Sequence, residues 1–215
     1  MKSLRLKISA IVFTLILICW PVLTFISLPT GSSYSAQIHS IINSKGLYVL
    51  NFIVAFLIAP ALIFMLYELY NKISDNQWYL TAKIGFILYT LYFLIISISY
   101  GSQFLYLPFI IESKTESIIL NWYFYNHDSL VIFINQTGYL IWGIATLIIF
   151  TRFLFKSSLV FFIIKILSLS ALTQIVATIG LYFNQPNLSG LTFYSGLLLL
   201  PAGILIIIYS YLSNK

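Results

Sequence analysis

An all-helical bundle of six membrane-spanning segments is the fold class this sequence predicts, and three observations predict it. Of 215 residues, 60% are hydrophobic and only 7% charged, with a mean hydropathy of +1.00. A soluble domain carries roughly 25% charged residues, so this chain has too few to cover a water-facing surface. Second, the apolar residues run continuously, without the alternation of a β-barrel strand. Third, six of these runs reach the roughly 20 residues that a helix needs to cross a hydrocarbon core of about 30 Å. They are read at about 8–28, 47–70, 84–105, 129–151, 161–183 and 190–212. The chain, residues 1–215, is therefore expected to be one integral membrane domain with no soluble part.

The first run follows Lys2, Arg5 and Lys7, as a secretory signal would. Its length exceeds the roughly 7–15 apolar residues of a signal peptide, and no small-x-small cleavage site follows, so it is read as a retained helix. Residues 29–46, with Pro29, Gly31 and a run of small polar residues, are expected to form a solvated outer loop. The second run ends on Glu68, four residues before Lys72, a spacing that suits an ion pair on neighbouring helical turns. Residues 71–83, with Asp75 and Asn76, read as an inner turn. The longest connection, about 106–128, is polar at Glu112–Ser117 and aromatic at Trp122–Tyr125, a composition that fits a short interfacial helix or a loop. Asp128, just before the fourth run, reads as a helix N-cap. Pro21, Pro60 and Pro201 fall inside spans, where neighbouring helices can satisfy the carbonyl each one frees.

Orientation follows from basic residues at alternate ends of the spans. Lys2, Arg5, Lys7, Lys72, Lys83, Arg152, Lys156, Lys165 and Lys215 fall on one side, against Lys45 and Lys114 on the other. An even number of spans then places both termini in the cytoplasm, with the cell (plasma) membrane as the expected location. The same scatter argues against nucleic acid, since phosphate binding needs cations converging on one groove. Cys19 is the single cysteine, which excludes an intramolecular disulfide and a thiol pair. No span carries two His, Cys, Asp or Glu at ligand spacing, so no metal and no cofactor are expected.

Uncharged polar and small residues do recur at helical spacing. Gly85, Tyr89, Tyr92, Ser99 and Gln103 share a face of the third span, and Asn135, Gly138, Trp142 and Ala145 share one of the fourth. Tyr48, Asn51, Ala55 and Ala59 do so in the second, and Ser170, Thr173, Ala177 and Gly180 in the fifth, with Gln174 beside them. Lipid tails reward none of these residues, so such faces turn inward. They have two readings. One is helix packing, small residues allowing close approach and amides bonding across the interface. The other is an outward-opening, uncharged pocket lined by Asn51, Tyr89, Tyr92, Gln103, Asn135, Gln136 and Gln174, suited to a neutral or amphipathic ligand.

The remaining ionisable residues, His39, Glu112, Glu116, His127 and Asp128, fall in outer connections and form a candidate polar cluster. Glu112 and Glu116 would share a face if helical. Three functions compete, in this order. The first is a non-catalytic subunit, scaffold or accessory component, with membrane lipids and a membrane-protein partner or a second copy of itself as partners. The second is a small transporter or lipid-binding protein that uses the polar pocket. The third is a lipid-modifying enzyme at the outer face, although no catalytic residue is assigned.

Overall fold

The computed structural model describes residues 2–74, 77–113, 115–155 and 159–213. Asp75, Asn76, Lys114 and Lys156 lie outside the described residues, and with them the tip of the 71–83 turn. Helix α1 spans Lys2–Ser27, α2 Tyr34–Asn43, α3 Lys45–Ile73 and α4 Leu80–Gly101. A π-turn over Ser102–Tyr106 joins α4 to the short α5, Leu107–Ile110. Then come α6, Glu116–Trp122, α7, Leu130–Phe150, α8, Leu159–Tyr182, α9, Pro186–Ser189, and α10, Leu191–Leu212. Among the described residues no strand occurs. Six helical stretches are long and apolar enough to cross a membrane: Leu4–Ser27, Lys45–Ile73, Leu80–Ile110, Leu130–Phe153, Leu159–Tyr182 and Pro186–Leu212.

The six long helices close into a ring. Each packs on the next along the chain, α1 on α3, α3 on α4, α4 on α7, α7 on α8 and α8 on α10, and α10 returns to α1. The small and polar faces line these seams. Tyr48, Asn51, Ala55 and Ala59 are buried, as are Gly85, Tyr89, Tyr92 and Ser99, and Asn135, Gly138, Trp142 and Ala145. Between α7 and α8 the approach is tight at Gly143, where a Cβ would lie 2.9 Å from the Ala171 carbonyl oxygen. Positions on the outside of the ring carry exposed Leu, Ile and Phe, for example Leu15, Ile87, Phe133 and Phe162.

The two ends differ. Lys7 lies 3.8 Å from the centre of the Tyr211 ring, Arg152 3.3 Å from that of Tyr79 and Lys165 4.2 Å from that of Phe161. All three cations sit at the end that holds the start of α1. There the ammonium or guanidinium meets an aromatic face while the rest of the side chain covers apolar surface.

Four details depart from the sequence expectations. Residues 29–46 are not a loop throughout: Ser33 caps α2, its hydroxyl accepting from the Ala36 amide at 3.2 Å, and Ile41 anchors the helix. Gly31 makes the preceding turn at φ +134°, a conformation that only glycine holds without strain. The third span does not stop near 105 but continues through the π-turn to Ile110. Ser129, not Asp128, caps α7, accepting from the Ile132 amide at 3.3 Å. Glu68 is buried at the end of α3, and among the described residues it forms no ion pair with Lys72.

Tight seams make a direct test. Gly143→Ala forces a methyl against the α8 backbone, which cannot yield, and should cost about 1–3 kcal/mol. Gly196 has nothing within 4 Å of its would-be Cβ. Gly196→Ala should therefore be neutral or stabilise by up to about 1 kcal/mol through helix propensity. Thermal midpoints of the two variants in one detergent check this, and a reversed order would refute close packing at the α7–α8 seam.

Candidate functional site

The end opposite the basic residues carries the polar chemistry, in two parts. The first is a plug. In an α-helix the ring of Pro108 would strike the carbonyl of residue 104, and Pro108 has no amide to donate. The chain answers with a wide turn, in which the Leu107 amide bonds the Ser102 carbonyl five residues back. A turn of this kind adds a residue to the helical repeat and so re-aims the side chains within it. Gln103, inside the turn, is fully buried.

Its carboxamide is saturated. Oε1 accepts from the Tyr48 hydroxyl at 2.8 Å and from the Phe124 amide at 3.3 Å. Nε2 donates to the Trp122 carbonyl at 2.8 Å and to Ser102 Oγ at 2.9 Å. A primary amide offers two donors and two acceptor positions, and all four are used. The segment Trp122–Asn126 is thereby tied to α3 and α4 across the mouth of the bundle. Phe124 stacks edge-on against Phe52 at 5.2 Å between ring centres, and Tyr123 donates to Gln37 Oε1 on α2 at 2.8 Å. Tyr34, also on α2, donates to Asn126 Oδ1 at 3.2 Å. Gln37, Tyr34, Tyr123 and Asn126 were not legible as site residues, although the aromatic run 122–125 was a visible signal of them.

Several other amides and hydroxyls of the spans meet in pairs across the seams. Thr24 of α1 donates to Asn51 Oδ1 at 3.0 Å. Across α4 and α7, Tyr89 bonds Thr146 at 2.9 Å, Tyr100 bonds Tyr139 at 3.0 Å, and Ser99 donates to Asn135 Oδ1 at 3.4 Å. Tyr92 lays its ring 5.7 Å from that of Tyr139. Gln174 of α8 donates to Gln136 Oε1 of α7 at 2.9 Å. Ser170 and Ser195 donate reciprocally to each other's carbonyls, at 2.8 and 3.0 Å, between α8 and α10. Asn51 and Gln103 thus belong to the plugged mouth, Asn135 to the α4–α7 seam, and Gln136 and Gln174 to the α7–α8 seam. The structure does not gather the seven around one open space.

The second part is a cleft of about 570 Å³ between the start of α7 and the α8–α10 connection. His127 and Asp128, from the α7 side, and Asn184, Gln185 and Ser189, from the α8–α10 connection, line it together with Phe133 and Tyr182. Its far wall exists because α8 ends abruptly. The Gln185 amide bonds the Gly180 carbonyl at 2.7 Å and the Asn184 amide bonds the Leu181 carbonyl at 3.1 Å. Asn184 sits at φ +52° in the left-handed region, and Pro186 follows. This is a Schellman stop, in which asparagine replaces the usual glycine. An Asn two residues before a Pro was a readable stop signal, but nothing in it marked a site.

The five outer ionisable residues are divided by the fold. His127 and Asp128 share the cleft. His39 is exposed on α2, Glu112 lies in the turn after α5, and Glu116 opens α6. Glu112 and Glu116 therefore occupy separate elements and do not share a helical face. Among the described residues no three His, Cys, Asp or Glu side chains come together as a metal site would require.

Burial at the plug shifts two outer phenols. Tyr125 is pushed up to about 12 by loss of water, with the Asn51 side chain pulling the other way. Tyr123 moves upward for the same cause, reinforced by Tyr125 and Tyr34. The fold holds the neutral phenols, so their contribution is complete below the ordinary pKa of 10.0 and is lost as pH rises toward about 12. Ultraviolet titration should show phenolate forming late, with Tyr125→Phe removing a group that ionises near 12. If the lost group titrates near 10.0, the plug is not buried.

No protein-family model matches the chain, and comparison with curated proteins and with solved structures finds no match for either its sequence or its fold.

Proposed function

We propose that the chain is a six-span integral membrane protein that binds a membrane lipid in the cleft beside α7, with both termini in the cytoplasm. One observation carries this reading. The cleft joins polar groups of His127, Asp128, Asn184 and Gln185 directly to the rings of Phe133 and Tyr182 at the end of the spans. An amphipathic molecule at the headgroup level has that same division along its length, polar above and apolar below. The volume of about 570 Å³ accommodates a headgroup and the first part of an acyl chain rather than a whole lipid. The cations at the opposite end support the orientation, because basic residues are retained on the cytoplasmic side.

A second reading, a non-catalytic accessory component of a membrane assembly, is favoured by a different observation. Several amides and hydroxyls of the spans bond across helix seams, as in Gln174–Gln136 and Ser170–Ser195. Each such bond contributes about 0.6 kcal/mol, so together they act as interhelical adhesive. In this reading the partner is a membrane protein or a second copy of the chain, and the lipid is structural.

Extraction in a mild detergent followed by native mass spectrometry separates these. Binding in the cleft predicts one lipid retained per chain and its loss in Ser189→Trp, which fills the cleft. Full retention in that variant would refute the reading. A second polypeptide at fixed stoichiometry, with no lipid retained, would move the conclusion to the accessory component. A reporter fused at residue 40 should read outside the cytoplasm, and a cytoplasmic reading would invert the orientation.

A further inference from the structure

We propose that the cleft selects amphiphiles carrying an ammonium head group, with Asp128 as the counter-charge and the paired rings of Phe133 and Tyr182 as the wall beneath it. This rests on the lipid-binding reading and adds to it the chemistry of the head group.

Charge is the first argument. Asp128 is exposed at the cleft, and among the described residues its carboxylate pairs with no cation, while its backbone amide bonds Asn126 Oδ1 at 3.3 Å. Among the described residues no lysine or arginine lines the cleft. Lys45, a described cation of this end, donates to the Pro108 carbonyl at 3.3 Å. A phosphoglycerol or other anionic head group would therefore meet a negative charge with no lysine or arginine to offset it. An ammonium would gain an ion pair there.

The rings are the second argument. Phe133 and Tyr182 lie 5.2 Å apart between centres with planes at 33°, and each is substantially exposed. The Tyr182 hydroxyl bonds Thr137 at 2.7 Å, which holds its ring in place. Aromatic faces beside a carboxylate are the chemistry that recognises ammonium and quaternary ammonium groups. Asn184 and Gln185 supply donors for the phosphate or ester oxygens next to that nitrogen. The binding is wholly non-covalent, so no bond is made or broken.

The test uses the purified full chain in detergent, delipidated and titrated with phosphatidylethanolamine or phosphatidylglycerol of identical acyl chains, read by native mass spectrometry. Phosphatidylethanolamine should bind about tenfold more tightly, the size expected of an exposed ion pair together with a cation–π contact. Asp128→Asn should bring the two lipids to within about twofold, and Asp128→Glu should keep most of the preference. Equal binding of the two lipids by the native chain, or a preference unchanged in Asp128→Asn, would overturn the proposal. Free ethanolamine is the third arm: displacement of the lipid at equal concentration would assign the site to a small amine and overturn the lipid assignment. Ser189→Trp separates the cleft from its selectivity. Loss of both lipids in that variant with no headgroup preference in the native chain leaves the cleft a lipid site and refutes only the ammonium selectivity. Unchanged binding of both lipids in that variant refutes the cleft itself.

Discussion

A primary amide buried among apolar side chains has to find four partners, and Gln103 finds them by bringing the plugged end of this protein together. Its acceptor holds Tyr48 of α3 and the Phe124 amide, and its donors hold the Trp122 carbonyl and Ser102. An unpartnered amide in lipid would cost several kcal/mol, so the segment Trp122–Asn126 cannot leave without stranding it. The π-turn that aims Gln103 inward is itself the consequence of Pro108. A single proline thus sets the direction of one amide, and that amide decides where a loop of aromatic residues must lie. With the loop in place, Tyr123 and Asn126 reach back to α2, and the mouth of the ring is closed by hydrogen bonds and stacked rings rather than left open to water.

Closing the mouth has a consequence for function. Many polar side chains within the spans, such as Gln174 and Ser170, bond a neighbouring helix, and a separate group of polar side chains lines the cleft between α7 and the α8–α10 connection. Two local stops build that cleft. Ser129 caps α7 one residue after Asp128, which leaves the carboxylate free of the capping role, and Asn184 turns α8 off in a left-handed conformation. The one positive-φ non-glycine position among the described residues therefore sits on the wall of this cleft. Residues held in such conformations persist where the surroundings over-determine them, and they gather at binding sites.

Much of the bundle was legible because its causes are local. The apolar runs and the inward faces of α3, α4, α7 and α8 follow from length and from a helical period, both of which one sequence displays. Other features had tertiary causes. Asp128 and Ser129 are both good cap formers, and pattern alone does not separate neighbours one residue apart. Residues 34–43 look like a polar loop because only Ile38, Ile41 and Ile42 give α2 an apolar side, and that side is recognisable only once α3 lies beneath it. Asn51, Gln103, Asn135, Gln136 and Gln174 were visible as polar residues in lipid. Which of them pair was not, since Gln103 leaves the α-helical register at the π-turn. The Phe133–Tyr182 wall joins residues 49 positions apart, and no spacing within a helix could reveal it.

The dependence of the plugged end on Gln103 is the claim most open to direct measurement. Residue-resolved hydrogen exchange in lipid nanodiscs reads the Phe124 amide, which donates to Gln103 Oε1. In the native chain this amide should be protected. Gln103→Leu should abolish that protection and loosen Tyr123–Asn126 with it, while Gln174→Leu, acting at a different seam, should leave it unchanged. Persistent protection of Phe124 in Gln103→Leu would show that ring packing alone holds the plug, and would contradict the dependence of the plugged end on this amide.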